Sequence, residues 1–198
     1  MHRMLAVLAV AFMSADAVAG EPLFDAVKAG DAASVERLLN DGANVDSRAM
    51  DQATPLIEAA LSGQPEIAAL LLAKGADVMA RNAGGFTPLH AAAYSGSVPV
   101  AELLLEKDAA LEDAANKAGV SPLIVAAEED HLAMVELLIA RGADVGQPER
   151  NGYTPLTRAF WKGHSDIVRA LKRHGAVCPS AEVLGGEAYL QQCMDIRD

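Results

Sequence analysis

The chain lacks the residue patterns that carry most enzyme chemistry. Its 198 residues include only two cysteines and one tryptophan. It has no glycine-rich loop of the kind that cradles phosphates, no nucleophile-elbow motif and no paired cysteine motifs of a zinc site. These absences exclude the enzyme classes that such motifs mark, so we expect no catalytic residue, no cofactor and no metal site.

Basic residues are also scarce. The sequence has 16 Lys and Arg against 27 Asp and Glu, which gives a net charge of −11. A protein that binds nucleic acid needs clustered cations to meet the phosphate backbone, and no such cluster occurs. We therefore expect no nucleic-acid partner. The acidity would suit a basic protein partner, although a surface of this charge more often serves solubility alone.

Long apolar runs are absent except near the N-terminus. The run from Met4 to Met13 spans about ten residues, whereas a membrane-spanning helix needs roughly 20. Arg3 precedes this run and small residues follow it. The order predicts a signal peptide over residues 1–19 that is cleaved after Ala19, and the alternative is a membrane anchor. We expect the mature protein to be periplasmic or secreted and to lie outside the membrane.

The sequence does contain one stretch that recurs along most of its length. The clearest copy runs from Gly85 to Gly96 and reads GFTPLHAAAYSG. Its proline belongs to a column with steps of 33, 33, 34 and 33 residues: Pro22, Pro55, Pro88, Pro122 and Pro155. A second column keeps the same steps: Gly42, Gly75, Asp108, Gly142 and Gly175. Two columns in phase indicate an internal repeat.

The run from Thr87 to His90, together with the period of 33, resembles the ankyrin repeat. Thr87 suits the N-cap of a helix, and Pro88 suits its first position. The resemblance implies an all-α fold, a solenoid of five helix-turn-helix repeats with β-turn fingers, in which each repeat buries an apolar face on its neighbours. The predicted repeats span about 20–48, 49–81, 82–115, 116–148 and 149–176, and a C-terminal cap follows over 177–198.

Apolar residues at helical spacing mark the second helix of four repeats, and we expect them to form one continuous core. They are Val35, Leu38, Leu39, Ile67, Leu70, Leu71, Val100, Leu103, Leu104, Val135, Leu137 and Leu138. The third finger, Ala109 to Val120, carries one extra residue, and Asp108 and Asp130 replace glycines. Aspartate adopts left-handed backbone more readily than most residues, so the fold can absorb both changes.

Both cysteines, Cys178 and Cys193, follow the last repeat. An even cysteine count in an exported protein predicts a disulfide, here one that pins the cap. Closing a loop of about 15 residues would stabilise the protein by roughly 3 kcal/mol. In one alternative Cys178 is a buried free thiol. In another the pair works as redox or enzymatic thiols, which a separation unlike Cys-x-x-Cys disfavours. A short helix is expected over Glu187 to Met194.

The histidines that follow the leader are explained by their positions in the repeats. His131 and His164 occupy equivalent places just after the turn between two helices. The cluster from Glu128 to His131 resembles a metal site in composition, but its alignment with residues 161–164 predicts a turn. We expect no metal there.

The ankyrin resemblance also predicts which residues face a partner. In that family the residue after the helix-one alanine pair and the residue before the capping threonine face the concave side. Here they are Lys28, Leu61, Tyr94, Glu128 and Trp161, then Ala53, Phe86, Val120 and Tyr153. Aromatic residues are enriched at binding hot spots. The predicted partner-binding residues are Leu61, Phe86, Tyr94, Glu128, Tyr153 and Trp161. In the alternative, Phe86 and Tyr153 pack between neighbouring fingers.

The sequence resembles exported, bacterial-type ankyrin repeat proteins. This resemblance implies a monomeric, non-catalytic adaptor, or an inhibitor or accessory of a periplasmic protein. We expect a protein partner with a basic or amphipathic segment, which Glu128 would orient between the rings of Tyr94 and Trp161. Nothing in the sequence identifies that partner, because a fold does not fix one.

Overall fold

The computed structural model describes residues 15–111 and 116–196, and these form twelve helices without a strand. The helices are α1 (Ala15–Lys28), α2 (Ala32–Asn40), α3 (Pro55–Leu61), α4 (Pro65–Ala73), α5 (Pro88–Ser95), α6 (Val98–Leu105), α7 (Pro122–Glu128), α8 (Leu132–Ala140), α9 (Pro155–Lys162), α10 (Ser165–Arg173), α11 (Ala181–Leu184) and α12 (Glu187–Asp195). The predicted all-α fold is confirmed. Part of the predicted leader (1–14) and part of the third finger (112–115) lie outside the described residues.

The first helix of each repeat after the first begins at the predicted proline, after a hydroxyl residue. The missing proline N–H costs nothing there, because the first helical N–H groups have no partner within the helix. Thr54 Oγ1 accepts a hydrogen bond from the Ile57 N–H at 3.3 Å, and Ser121 caps α7 in the same way. Pro22 differs, because it lies inside α1.

The helices form two layers in which each repeat contacts its neighbours. In the first-helix layer, α1, α3, α5, α7 and α9 pack in sequence order, and α2, α4, α6, α8 and α10 do the same in the second-helix layer. Small residues allow the close approach within the first layer, where Ala59, Ala92 and Ala126 are fully buried. The predicted repeat stack is thus present, and stability comes from nearest-neighbour interfaces.

The predicted core residues of the second helices lie between the two layers. Val35, Leu71, Val100, Leu104, Val135 and Leu138 are fully buried and Ile67 nearly so. The others, Leu38, Leu39, Leu70, Leu103 and Leu137, are partly buried and pack against this core. The first helices contribute one fully or almost fully buried leucine each: Leu23, Leu56, Leu89, Leu123 and Leu156.

The fingers that join successive repeats are tight turns stacked by backbone hydrogen bonds. Within one finger, the Asn82 N–H donates to the Phe86 carbonyl at 3.1 Å. Between fingers, the Ala83 N–H donates to the Asp51 carbonyl at 2.7 Å, and the Arg150 N–H donates to the Ala118 carbonyl at 3.1 Å. These bonds satisfy polar backbone that would otherwise lack partners, and they hold the fingers in a row.

The two aspartates that replace glycines adopt left-handed backbone, as the sequence predicts. Asp108 has φ 61° and Asp130 has φ 63°, and the glycines at the equivalent turns also have positive φ, such as 86° at Gly75 and 69° at Gly96. Gln52 also has a positive φ, of 64°, which the sequence did not indicate. The aspartates therefore keep the left-handed backbone of these turns.

The C-terminal cap is closed by a disulfide that begins where the cap leaves the last repeat. Cys178 and Cys193 form the predicted disulfide, with an S–S distance of 2.03 Å and a sequence separation of 15. Cys193 is fully buried and Cys178 is partly buried, so the bond packs against the core. Lys172 of α10 donates to the Cys193 carbonyl at 3.2 Å and to the Ile196 carbonyl at 2.7 Å, which satisfies the end of α12. The predicted short helix is present as α12.

Breaking the disulfide should destabilise the protein by roughly 3 kcal/mol, because the unfolded chain regains the closed loop's entropy. We expect no alkylated cysteine before reduction and two after it, as measured by mass spectrometry. Reduction should lower the urea midpoint of the wild-type protein but not that of Cys178→Ser, which is the matched control. Two thiols in the unreduced protein, or an unchanged midpoint, would contradict this expectation.

At position 108 glycine should be more stabilising than alanine. Asp108→Gly should exceed Asp108→Ala by about 0.5–1 kcal/mol in free energy of unfolding, because alanine is strained at positive φ. Both variants lose the carboxylate, so urea denaturation of the pair isolates the backbone effect. Glu106, with φ −67°, is the control, and alanine should be the better residue there. The same order at both positions would refute the left-handed assignment.

Candidate functional site

Large apolar side chains are exposed at equivalent places of the first helices. Leu61 ends α3 and is 44% exposed, Tyr94 of α5 is 53% exposed, and Trp161 of α9 is 49% exposed. Glu128 holds the same place in α7. Because these helices pack in sequence order, the four side chains form a row along the first-helix layer.

A groove lies between this row and the fingers. It has a volume of about 520 Å³ and is lined by Ile57, Leu61, Asn82, Phe86, His90, Ala91, Tyr94, Val120, Val125, Glu128 and Glu129. Phe86 and Val120 come from the fingers and are partly buried. The Phe86 ring lies edge-on to His90 with centroids 5.4 Å apart. Four of the predicted binding residues, Leu61, Phe86, Tyr94 and Glu128, therefore line one groove.

The other two predicted residues line a separate cleft in the fifth repeat. Its volume is about 230 Å³, and its walls are Tyr153, Arg158, Trp161 and Lys162. The Arg158 guanidinium lies over the Tyr153 ring, 5.3 Å from its centroid. The structure thus places the six predicted residues around two cavities.

A cluster of ion pairs stands between the two cavities. Both Nη2 contacts of Arg158 with the Glu149 carboxylate are short, at 2.6 and 2.7 Å, and the Glu149 side chain is completely buried. Glu128 lies 3.6 Å from Arg158 Nη1 and 3.4 Å from Lys162 Nζ. Burial opposes the charge of Arg158, but the hydrogen bond to Glu149 and the charges of Glu128 and Glu149 raise its pKa. Glu128 is therefore held by two cations of the next repeat.

Sequence reasoning missed Arg158, although a pattern could have revealed it. Arg158 precedes Trp161 by three residues in α9, so both lie on one helix face. Glu128 is in the equivalent column of the preceding repeat. An acid in one repeat beside a base in the next predicts an ion pair across the interface.

The cap extends the exposed row beyond the last repeat. The Tyr189 ring of α12 lies 5.4 Å from the Trp161 ring and is 44% exposed. A Cβ at Gly185, between the two cap helices, would lie 3.7 Å from Trp161. One side of Trp161 is thus covered by the cap, which the repeat pattern did not predict.

The histidines join neighbouring repeats. His131 Nε2 contacts the Tyr94 carbonyl at 2.9 Å, and His164 Nε2 contacts the Glu128 carbonyl at 3.0 Å. A Cβ at Gly96 would lie 2.5 Å from the His131 ring, so this approach requires glycine. Buried His90 contacts Thr87 Oγ1 at 2.8 Å and the Val120 carbonyl at 2.9 Å. These contacts give all three side chains a structural role.

No group of three or more potential ligands for a metal ion occurs in residues 15–111 and 116–196. The cluster from Glu128 to His131 forms the predicted turn, and its groups are used in other ways. Asp130 lies 3.4 Å from His164 Nδ1, and Glu128 pairs with Arg158 and Lys162. Within the same ranges, none of the helices has both the length and the apolar character to span a membrane.

Comparison with known proteins locates the chain among repeat proteins. It is 37% identical over 84 residues to an ankyrin repeat and KH domain-containing protein of Caenorhabditis briggsae, which covers 42% of this chain and 3% of that one. It is 44% identical over 55 residues to ankyrin repeat domain-containing protein 49 of Bos taurus, and this alignment covers 27% of this chain and 23% of that one. It is 31% identical over 83 residues to the RelA-associated inhibitor of Mus musculus, and this alignment covers 42% of this chain and 10% of that one.

The chain therefore spans less than a quarter of the length of each of these relatives, and the similarity lies in the repeats. The family model described as ankyrin repeats (3 copies) matches residues 23–115 and 110–181, which together make up most of the chain. Ankyrin repeats imply protein–protein interaction. The stacked helix pairs, the fingers and this match agree, and the chain belongs to the ankyrin repeat family.

Proposed function

We propose that this protein is an exported, non-catalytic binding module that docks another protein on its concave face, as an adaptor or as an inhibitor or accessory of a periplasmic protein. The observation that carries the proposal is the row of exposed Leu61, Tyr94 and Trp161 beside the groove. Large apolar side chains cost free energy when they are left in water, and such patches mark interaction sites. The docked partner would cover them.

The cleft of the fifth repeat and the cap would extend this surface. Tyr153, Trp161 and Tyr189 supply aromatic area there, and Lys162 is half exposed. The disulfide holds Tyr189 in place, so the cap would present a preformed wall to the partner. The partner is a single protein chain that contacts both cavities of a monomer.

Two features support export. The leader has basic, apolar and small-residue regions in order, and disulfides persist in oxidising compartments. Cleavage after Ala19 would also place Pro22 in the first turn of the shortened α1, where proline is tolerated. A periplasmic or secreted protein fits these features.

Tyr94→Ala should weaken partner binding about thirtyfold, the effect of losing a side chain worth roughly 2 kcal/mol. Its thermal midpoint should be unchanged, because the ring is half exposed and lies outside the core. Proteins of the exported fraction would be captured on wild-type and variant protein and quantified by mass spectrometry. Trp161→Ala should also weaken binding, but it should loosen the cap as well, because Trp161 contacts Tyr189.

The matched control is Leu132→Ala in the second-helix layer, where the leucine is 37% exposed. A true partner is retained by this control and lost by Tyr94→Ala. Equal retention by both variants would show that the row is not the docking surface. Unfolding of Tyr94→Ala would show that the ring is a packing residue.

Export predicts a mature N-terminus at Gly20. Material from the exported fraction would be subjected to terminal sequencing and intact mass measurement. An uncleaved Met1 in a cytoplasmic protein would contradict the proposed localisation. As a control, Ala19→Arg should block cleavage, because the enzyme requires a small residue before the cut.

A further inference from the structure

The two glutamates that line the groove differ in what they can bind. The Glu128 side chain is 27% exposed and is already paired with Arg158 and Lys162. A partner cation would have to compete with two fixed ones, and the exchange would gain little. Glu128 therefore serves mainly to tie repeat four to repeat five.

Glu129 is exposed, and none of the described residues pairs with its carboxylate. It is the C-cap residue of α7, where the helix dipole already presents partial negative charge. A carboxylate at this place is unfavourable for the helix, and a cation brought by a partner would relieve the repulsion. The half-exposed Tyr94 ring lines the same groove and offers a face for the cation.

The interior of the groove is apolar. Ile57, Leu61, Phe86, Val120 and Val125 line it, and none of its described lining residues is a cation. Its polar groups at the finger side are occupied, because Asn82 Oδ1 accepts from the Gly84 and Phe86 N–H groups. An acidic segment would find no cation here and would be repelled by both glutamates.

The shape of the groove favours a peptide segment over a small molecule. Pockets for small ligands bury most of the ligand surface. Here Leu61 and Tyr94 stand on the rim with about half of their surfaces exposed. An open groove of about 520 Å³ can take a large side chain while the rest of the segment runs along the rim.

From these observations we infer that the groove recognises a partner segment in which a large apolar side chain is closely followed by lysine or arginine, and that Glu129, not Glu128, binds the cation. The apolar side chain enters between Leu61 and Phe86. The inference rests on the proposed docking function and adds the chemistry of the partner segment and the residue that binds its cation.

Phage-displayed random peptides selected on the full protein, with its disulfide formed, would test this inference without a known partner. We expect the selected peptides to combine a large apolar residue with a nearby Lys or Arg. Synthetic versions would then be titrated by fluorescence anisotropy. Glu129→Gln should lower the affinity for these peptides about fivefold at low salt. The difference in affinity between variant and wild-type protein should largely vanish near 1 M salt, where the Debye length is about 3 Å.

Glu106→Gln is the matched control, because Glu106 is an exposed acid at the C-cap of α6. It should bind the peptides like the wild-type protein, and Glu128→Gln should lose less affinity than Glu129→Gln. Equal loss in Glu106→Gln and Glu129→Gln would indicate attraction to the overall acidity and would overturn the inference. Selected peptides that lack cations, or no selection at all, would overturn it as well.

Leu61→Ala separates this inference from the proposed function. If Leu61→Ala weakens peptide binding and Glu129→Gln does not, docking in the groove is supported and the role of Glu129 in binding the cation is refuted. If neither variant weakens peptides that do bind, the groove is not where they dock, and both the inference and the proposed docking surface fail. Loss of peptide affinity in both variants supports both the inference and the proposed docking surface.

Discussion

The whole structure depends on the stacking of one helix pair on the next. No repeat has enough apolar surface to form a core alone, so each depends on the small residues that let its neighbour approach. Fully buried Ala92 and Ala126 illustrate this in α5 and α7. The histidine contacts to the carbonyls of the preceding first helix act at the same interfaces. Because the stack fixes the spacing of the first helices, it also fixes the spacing of the exposed row.

The stack must end somewhere, and the C-terminal end is closed by a different means. The cap has no repeat pattern, and its small buried surface is centred on Leu184 and Cys193. The disulfide and the Lys172 contacts with the last carbonyls of α12 hold it in place. Small units often need such a covalent constraint because their cores are limited. The same constraint orients Tyr189 beside Trp161 and so joins the cap to the exposed row.

The features that recur in each repeat could be predicted from the sequence, and so could the disulfide, but most contacts that occur only once could not. The prolines, the left-handed aspartates and the row of Leu61, Tyr94 and Trp161 follow from alignment of the copies. The pairing of Glu128 with Arg158 and Lys162 arises only between repeats four and five, so it is found only when the acid of one repeat is compared with the bases of the next. The contact of Tyr189 with Trp161 depends on how the cap folds back, which has no periodic pattern. These single contacts divide the predicted continuous surface into a groove and a cleft.

The proposed docking function requires that a partner segment lies in the groove between the first helices and the fingers. Amide hydrogen exchange of the protein, alone and saturated with a selected peptide, tests it most directly. We expect slower exchange in the finger residues 82–86, which border the groove, and at the end of α7 near Glu129. Protection confined to the second-helix layer, or to the cap alone, would contradict it.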